Sequence, residues 1–162
     1  MPSFKGLHAA SAASSRVKRR NRSRDTNHEK LLRQTLWQMG FRYRKNCTEL
    51  PGTPDLVFSG ARVAVFCDGD FWHGRDWACL RRKLESGTNP GYWAAKIESN
   101  IKRDTRNAAS LEAAGWIVLR LWETDIKRDP IAAAELVKRV LDERRGRNMR
   151  TMMARLEGGT DR

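Results

Sequence analysis

Residues 50–75, LPGTPDLVFSGARVAVFCDGDFWHGR, constrain the fold of this chain more than any other stretch. They contain two short apolar runs joined by a Ser-Gly turn, a pattern that predicts two strands. The second run, which ends at Cys67, alternates poorly and is mostly apolar, as expected of a strand buried on both faces. The segment therefore predicts a buried pair of strands with acidic residues at its ends.

Carboxylates stand at the ends of both predicted strands. Asp55 opens the first strand, and Asp68 and Asp70 follow the second, with His73 three positions further on. Paired strands could place Asp55 and Asp68 within reach of one divalent cation, which prefers oxygen ligands. A histidine beside them can act as a general acid or base near neutral pH. We interpret the segment as a metal-dependent hydrolytic centre.

The same residues also have structural interpretations. Asp55 could be an ordinary turn residue, and Asp70 could support a neighbouring basic side chain. His73 could be packed in the core, as could Phe71 and Trp72, whose alternative role is a wedge that unstacks base pairs. We prefer the functional interpretation because carboxylates repel one another and rarely gather by chance.

The charge of the chain indicates a polyanionic partner. The formal net charge is +13 and the isoelectric point is near 10.5, a balance that attracts nucleic acid through phosphate contacts. Solubility alone is the alternative, but six tryptophans accompany the charge, and aromatic rings stack on bases or wedge between them. We therefore expect DNA as the partner.

Two regions carry the candidate phosphate contacts. Residues 1–24 hold seven Lys or Arg and no acid, which predicts a disordered basic arm that can lie along DNA; for residues 1–14 we favour a solvated tail. Lys96 and Arg103 lie on a predicted helix, where their charge indicates either a solvated face or phosphate contacts. The candidate arginines of the arm are Arg19, Arg20, Arg22 and Arg24.

Several classes of protein are disfavoured. No apolar run approaches the roughly 20 residues that cross a bilayer, and the N-terminus lacks the apolar core of a secretion signal. The three cysteines are expected to be reduced thiols of a cytoplasmic protein. Cys67, His73 and Cys79 could contribute to a zinc site, but their spacing fits no common pattern and a fourth ligand is missing.

The remaining elements follow from periodicity and capping signals. Thr26 and Glu29 have the spacing of a capping box at the start of a helix that ends at Gly40. Glu29 either only caps this helix or also points toward the acidic centre. Residues 41–45 predict a short strand, and residues 76–91 an irregular basic connection. The later elements are a helix over 92–114, a strand over 116–122 and a helix from Asp129.

The predicted order of elements is α-β-β-β-α-β-α. Three strands form an antiparallel meander, and the long helix crosses over to bring the fourth strand into the same sheet, most often with right-handed sense. Helices on both faces give an α/β fold, a three-layer α/β/α sandwich with a central mixed sheet. One domain over residues 25–145 stands between the basic arm and a flexible basic tail, residues 146–162.

Several separated motifs, in this order, resemble the very short patch repair (Vsr) endonucleases. They are LPGTPD at 50–55, DGDFWH at 68–73, YW at 92–93 followed by Lys96, RD at 103–104, and GWIVLRLWE at 115–123. The resemblance covers about residues 16–127. It implies a restriction-endonuclease-like, PD-(D/E)XK-related fold and a Mg2+-dependent nick beside the thymine of a T:G mismatch, the product of 5-methylcytosine deamination.

The resemblance also implies roles for individual residues. Asp55 matches the metal-binding aspartate, and His73 matches the catalytic histidine. Cys67 falls where a main-chain carbonyl binds the metal, and Asp68 falls where a histidine often stands. Glu29 matches a helix glutamate near the water shell of the metal.

The implied substrate is double-stranded DNA carrying a T:G mismatch. Phe71, Trp72 and Trp93 match aromatic residues that wedge into DNA beside the mismatch. We expect a monomer that hands the nick to downstream repair proteins. Two alternatives stay open: a restriction or defence nuclease with another target, and a basic DNA-binding protein whose acids are vestigial.

The chain departs from the family at its structural zinc site. Founding members hold zinc with Cys and His residues, whereas this chain has Asp70, Arg75, Trp77 and Thr124 at those places. We therefore predict no zinc, and we expect an Arg75–Asp70 ion pair to replace the cross-link.

Overall fold

A computed structural model describes residues 24–157 of the chain, with side chains described as far as residue 154. Of the predicted basic arm, only Arg24 lies within this range, and it is exposed. Arg19, Arg20 and Arg22 lie outside the described residues.

A mixed sheet of four strands forms the middle layer. The strands stand in the order β1 to β4, with β1–β2 and β2–β3 antiparallel and β3–β4 parallel. The predicted meander followed by a crossover is thus confirmed. The strands are β1 (Arg44–Lys45), β2 (Leu56–Phe58), β3 (Val63–Asp68) and β4 (Ile117–Trp122).

Among the described residues, five helices surround the sheet, and the crossover between β3 and β4 contains two of them. The helices are α1 (Asn27–Gln38), α2 (Trp77–Glu85), α3 (Pro90–Ala113), α4 (Glu123–Arg128) and α5 (Pro130–Glu157). Within residues 24–157, no helix is both long and apolar enough to cross a bilayer.

The sheet is covered on both faces, which confirms the α/β/α sandwich. Every residue of β3 is buried, as its apolar run predicted. One face packs against α1, α4 and α5 through a core that includes Leu32, Leu56, Val65, Ile126 and Leu141. The other face packs against α3 through a smaller core of Ala64, Phe66 and Leu111, with Val118 beside them.

Three features of the predicted order were wrong. Residues 77–85 form α2 rather than an irregular connection, because the Asp76 carboxylate caps the helix by accepting from the Cys79 N–H. The six-residue α4 was not predicted. The last helix passes through Gly146 and continues to residue 157, because Gly in a helix costs only about 1 kcal/mol relative to Ala.

Candidate active site

The helix α1 begins beside the C-terminal end of β3, since His28 Nε2 lies 3.2 Å from the Cys67 carbonyl. Thr26 is its N-cap and accepts from the Glu29 N–H, as the capping box predicted. The Glu29 carboxylate in turn accepts from the Thr26 hydroxyl at 2.7 Å and from the Asp25 N–H at 2.9 Å. Glu29 is only 3 % exposed, so its charge is held close to the end of the sheet. The cap therefore fixes a buried carboxylate beside the candidate site.

Asp55 stands where β2 begins and β3 ends. Its Oδ2 accepts from the Cys67 N–H at 2.7 Å, and its own N–H donates to the Val65 carbonyl. Burial raises the pKa of Asp55 to about 7, opposed by the Cys67 N–H and reinforced by the nearby charges of Glu29 and Asp68. Glu29 therefore takes part in the cap of α1 and also lies close enough to act on the pKa of Asp55. A carboxylate destabilised in this way gains from a bound cation.

Asp68 ends β3 with its side chain only 4 % exposed. Its Oδ2 accepts from Arg120 Nη1 at 2.7 Å, while its Oδ1 lies 3.7 Å from His73 Nδ1. Burial raises the pKa of Asp68, although the positive charges of His73 and Arg120 act in the opposite direction. Asp68 is therefore an ion-pair partner of two basic side chains as well as a neighbour of Asp55.

His73 is held by a carboxylate that we did not predict. Its Nδ1 lies 2.6 Å from Asp104 Oδ2, a residue of α3. Burial lowers the pKa of His73, but the Asp104 hydrogen bond and the charges of Asp68 and Asp104 outweigh this effect and raise the pKa above its ordinary value. An imidazole oriented by a carboxylate in this way is suited to proton transfer.

Gly74 permits the close contact between the His73 loop and α3. It adopts a positive φ of +68°, and a Cβ at this position would lie 2.6 Å from Ile101 Cδ1. The turn can therefore press against α3 only with glycine, and this contact brings His73 to Asp104.

The Cys67 carbonyl lies at the same edge of the sheet. His28 Nε2 is 3.2 Å from this oxygen, and the His28 side chain is buried. Burial raises the pKa of the Cys67 thiol, which packs in the core beneath α1. The thiol is thus a packing group, while the main-chain oxygen faces the catalytic edge and has a second lone pair for another partner.

The residues present would suit an open magnesium site, completed by water and phosphate, better than a site closed by protein ligands. Within residues 24–157, no three His, Cys, Asp or Glu side chains are arranged to hold a metal ion by themselves. Mg2+ is usually held by one or two carboxylates, with waters and substrate phosphates completing its shell. Asp55, whose buried carboxyl has a raised pKa, and the Cys67 carbonyl would fit such a sparse donor set.

The three predicted wedge residues lie together in one aromatic cluster. The ring centroids of Phe71 and Trp72 are 5.1 Å apart, and Trp93 lies 5.9 Å from each of them. Phe71 is 36 % exposed, and the main chain at Trp72 is fixed by a hydrogen bond from Asn100. Phe71 and Trp72 follow β3 within four residues of Asp68, whereas Trp93 lies in α3.

Of the two predicted phosphate contacts on α3, Arg103 lies beside Asp104, the partner of His73. Its side chain is 53 % exposed, and its Nη2 is 3.9 Å from Asp104 Oδ1. Lys96 lies seven residues earlier in the same helix, partly buried.

A polar network includes Asp70, Arg75 and Thr124, three of the positions that the resemblance associated with zinc. The expected ion pair is present, with Arg75 Nη1 3.6 Å from Asp70 Oδ1. Arg75 Nη2 also donates to Asp125 at 3.1 Å, and Asp70 accepts from the Thr124 hydroxyl. These contacts connect the loop after β3 to α4.

The importance of Arg120 could be recognised from the sequence, whereas that of Asp104 could not. Arg120 was visible as a lone charge within the apolar run of β4, and a buried charge requires a partner. Asp104 is 31 residues from His73, and only the packing of α3 on the sheet shows that they meet.

Buried carboxylates at the ends of adjacent strands, beside an oriented histidine, define a nuclease of the restriction-endonuclease-like class. A family model described as DNA mismatch endonuclease Vsr matches residues 8–79. The chain is 42 % identical over 126 residues to the type II nicking enzyme V.NmeDIP of Neisseria meningitidis serogroup C, covering 78 % of this chain and 84 % of that protein.

Two further proteins are similar to this chain over most of its length. The type II nicking enzyme V.HpaIIP of Haemophilus parainfluenzae is 38 % identical over 79 % of this chain and 89 % of that protein. DNA mismatch endonuclease Vsr of Escherichia coli K12 is 34 % identical over 73 % of this chain and 74 % of that protein. The chain belongs to the Vsr family of DNA mismatch endonucleases, which are hydrolases of DNA phosphodiester bonds. The resemblance and the fold inferred from the sequence are confirmed.

Proposed function

We propose that this protein nicks duplex DNA beside the thymine of a T:G mismatch in a Mg2+-dependent reaction. The observation that carries the proposal is the meeting of Asp55, the Cys67 carbonyl and the His73–Asp104 pair at one edge of the sheet. We expect the enzyme to act as a cytoplasmic monomer whose product is taken up by downstream repair proteins.

Asp55 and the main-chain carbonyl of Cys67 would hold the cation. Asp68 and Glu29 add negative charge around them, since both contribute to the raised pKa of Asp55. A bound Mg2+ would polarise a phosphoryl oxygen and stabilise the charge that develops during in-line displacement. The negative charge of these buried acids thereby favours a bound cation over a cation in bulk solvent.

His73 supplies proton transfer. Because Asp104 holds Nδ1, Nε2 is the nitrogen that can accept a proton from the attacking water or donate one to the leaving oxygen. Asp104 also stabilises the imidazolium form, so His73 can carry the proton between these steps.

The aromatic cluster supports recognition of a distorted duplex. Phe71, Trp72 and Trp93 could insert beside a mispaired base, whose unstacking costs less than that of a paired base. Arg24, Lys96 and Arg103 would contact the flanking phosphates, together with Arg19, Arg20 and Arg22 of the arm.

A second candidate is a nicking nuclease of restriction or defence systems with another target. The names of two relatives, type II nicking enzymes, favour this alternative. It uses the same chemistry and differs only in the DNA that is recognised.

A cleavage assay on matched duplexes separates the two candidates. Duplexes that differ only in one pair, T:G, T:A or C:G, are incubated with Mg2+ or with EDTA. We expect a single nick 5′ or 3′ to the mispaired thymine, only in T:G DNA and only with Mg2+. The variant Asp55→Ala should bind the T:G duplex but not cut it. Equal nicking of T:A DNA would support the second candidate, and full activity of Asp55→Ala would remove Asp55 from the site.

A further inference from the structure

Arg120 is a charged residue in the middle of a strand that is otherwise apolar. It stands opposite Phe66 in the parallel pairing of β4 with β3, and its guanidinium carbon lies 4.6 Å from the centre of the Phe66 ring. Only 25 % of its side chain is exposed. Burial of a charge is costly unless the charge is paired, so the contacts of Arg120 should indicate why it is there.

The partners of Arg120 are the two carboxylates that flank His73. Its Nη1 lies 2.7 Å from Asp68 Oδ2 and 3.4 Å from Asp104 Oδ2. The same two carboxylates lie 3.7 Å and 2.6 Å from His73 Nδ1. Four side chains from β3, β4, α3 and the loop after β3 therefore form one closed network.

This network divides the acids of the site into two groups. Asp55 and Glu29 have no contact with Arg120 among the described ion pairs; Asp55 accepts from the Cys67 N–H, and Glu29 acts on the pKa of Asp55. Asp68 and Asp104 share Arg120 and face His73. Without the guanidinium, two carboxylates with side chains 4 % and 14 % exposed would repel each other across the imidazole.

We propose that Arg120 is a positioning residue of the cleavage reaction, which holds Asp68 and Asp104 around His73 Nδ1 and so directs Nε2 toward the scissile phosphate. The inference rests on the proposed function, because it assigns Arg120 a task in the same proton transfer. Arg120 acts through the two carboxylates and need not touch the DNA. A lysine would keep the positive charge, but its shorter side chain would have to place the ammonium where Arg120 Nη1 lies between the two carboxylates.

The test compares Arg120→Gln and Arg120→Lys with wild type. Single-turnover nicking of the preferred duplex is measured at saturating DNA and Mg2+, and the Kd for the same duplex is measured in EDTA. Thermal unfolding of each variant shows how much of it is folded. The matched control is Arg44→Gln, which removes the same charge from the edge strand β1, where Arg44 forms an exposed pair with Glu49.

We expect Arg120→Gln to lower the nicking rate by about tenfold or more, as for loss of an oriented acid or base. Its Kd should stay within about twofold of that of Arg44→Gln, and Arg120→Lys should recover part of the rate. A wild-type rate for Arg120→Gln, or a rate loss matched by an equal loss of affinity or of folded protein, would overturn the inference.

Three further outcomes separate failure of the inference from failure of the proposed function. If Arg120→Gln does not fold, Arg120→Lys decides, since a slower rate with unchanged Kd supports the inference and a wild-type rate overturns it. If wild type nicks no duplex with Mg2+, the proposed function fails, and the inference fails with it. If wild type nicks but Arg120 variants match it, only the inference fails.

Discussion

The His73 imidazole depends on one short contact from a distant helix. Asp104 Oδ2 holds Nδ1 at 2.6 Å, so the ring can neither rotate freely nor exchange its two nitrogens. The same contact favours the protonated ring. Asp104 thus orients His73, while Asp104 and Asp68 together favour its protonated form.

We expect His73→Ala to slow the chemical step by about a hundredfold or more, as for loss of a general acid or base. Asp104→Asn should slow it less, because the amide can still orient the ring but carries no charge. Single-turnover rates and Kd values measured on the same duplex check this. If His73→Ala changed only the Kd, His73 would belong to DNA binding instead.

The raised pKa of Asp55 has a consequence for stability. The folded protein keeps this proton up to about pH 7, whereas the unfolded chain releases it near the ordinary pKa of 3.8. Unfolding therefore releases a proton between these values, and the free energy of unfolding falls as pH rises through this window.

Asp55→Asn should remove this pH dependence. In EDTA, the Tm of the variant should match that of wild type near pH 4 and exceed it increasingly toward pH 8. Addition of Mg2+ at pH 8 should raise the Tm of wild type only. Parallel curves of Tm against pH for the two proteins would show that the pKa of Asp55 is not raised in the folded protein.

Among single residues, those that flank the predicted strands could be assigned to one site from the sequence. Asp55, Asp68 and His73 could be placed in one site because their strands are adjacent in the chain. The Asp104–His73 and Arg120–Asp68 contacts join residues 31 and 52 positions apart. Such pairs depend on how α3 and β4 pack on the sheet, which no local pattern encodes.

Among the elements, the loop after β3 has the largest share of the site. It carries Asp70, Phe71, Trp72 and His73, and it is fixed at both sides. Asn100 of α3 holds it through the Trp72 carbonyl, and Arg75 connects it to α4. The loop is thus held in place by polar contacts at both sides.

Arg75→Met should weaken this connection. Asp70 and Asp125 would lose their shared cation, and Asp70 Oδ1 already lies buried without a hydrogen bond. We expect the Tm to fall by a few degrees and the loop to become more sensitive to proteolysis. Arg44→Met is the surface control, and an equal Tm for both variants would contradict a role for the network.

The aromatic cluster of Phe71, Trp72 and Trp93 should contribute to recognition of the mismatch. Replacement of Trp72 or Trp93 by Ala should weaken binding to T:G DNA more than binding to the matched T:A duplex, because only the mismatch admits a wedge at low cost. Fluorescence anisotropy with both duplexes measures the two affinities. Equal losses on both would indicate that the rings only pack against each other.

Element boundaries could be predicted where the capping chemistry was explicit. Thr26 and Glu29 correctly placed the start of α1, and Asp129 followed by Pro130 placed the start of α5. The helix α2 was missed because three consecutive basic residues, Arg81 to Lys83, obscured its period. It buries none of its residues, so it leaves little hydrophobic signal.

For the whole molecule, the net charge of +13 predicts strong salt dependence. Each phosphate contact releases counterions, so affinity for matched DNA should fall by about a hundredfold or more between 50 and 200 mM salt if several contacts form. The preference for T:G over T:A should change far less, because wedging is not ionic. Kd values across a salt series check both statements, and a flat series would exclude phosphate contacts as the main source of affinity.

The active site is assembled from segments spread over most of the folded chain. Glu29 comes from α1, Asp55 from the start of β2, Asp104 from α3 and Arg120 from β4. During synthesis, the acids and the histidine leave the ribosome before β4, so Asp68 and Asp104 at first lack the Arg120 guanidinium that they share. The network around His73 is therefore complete only after β4 has paired with β3.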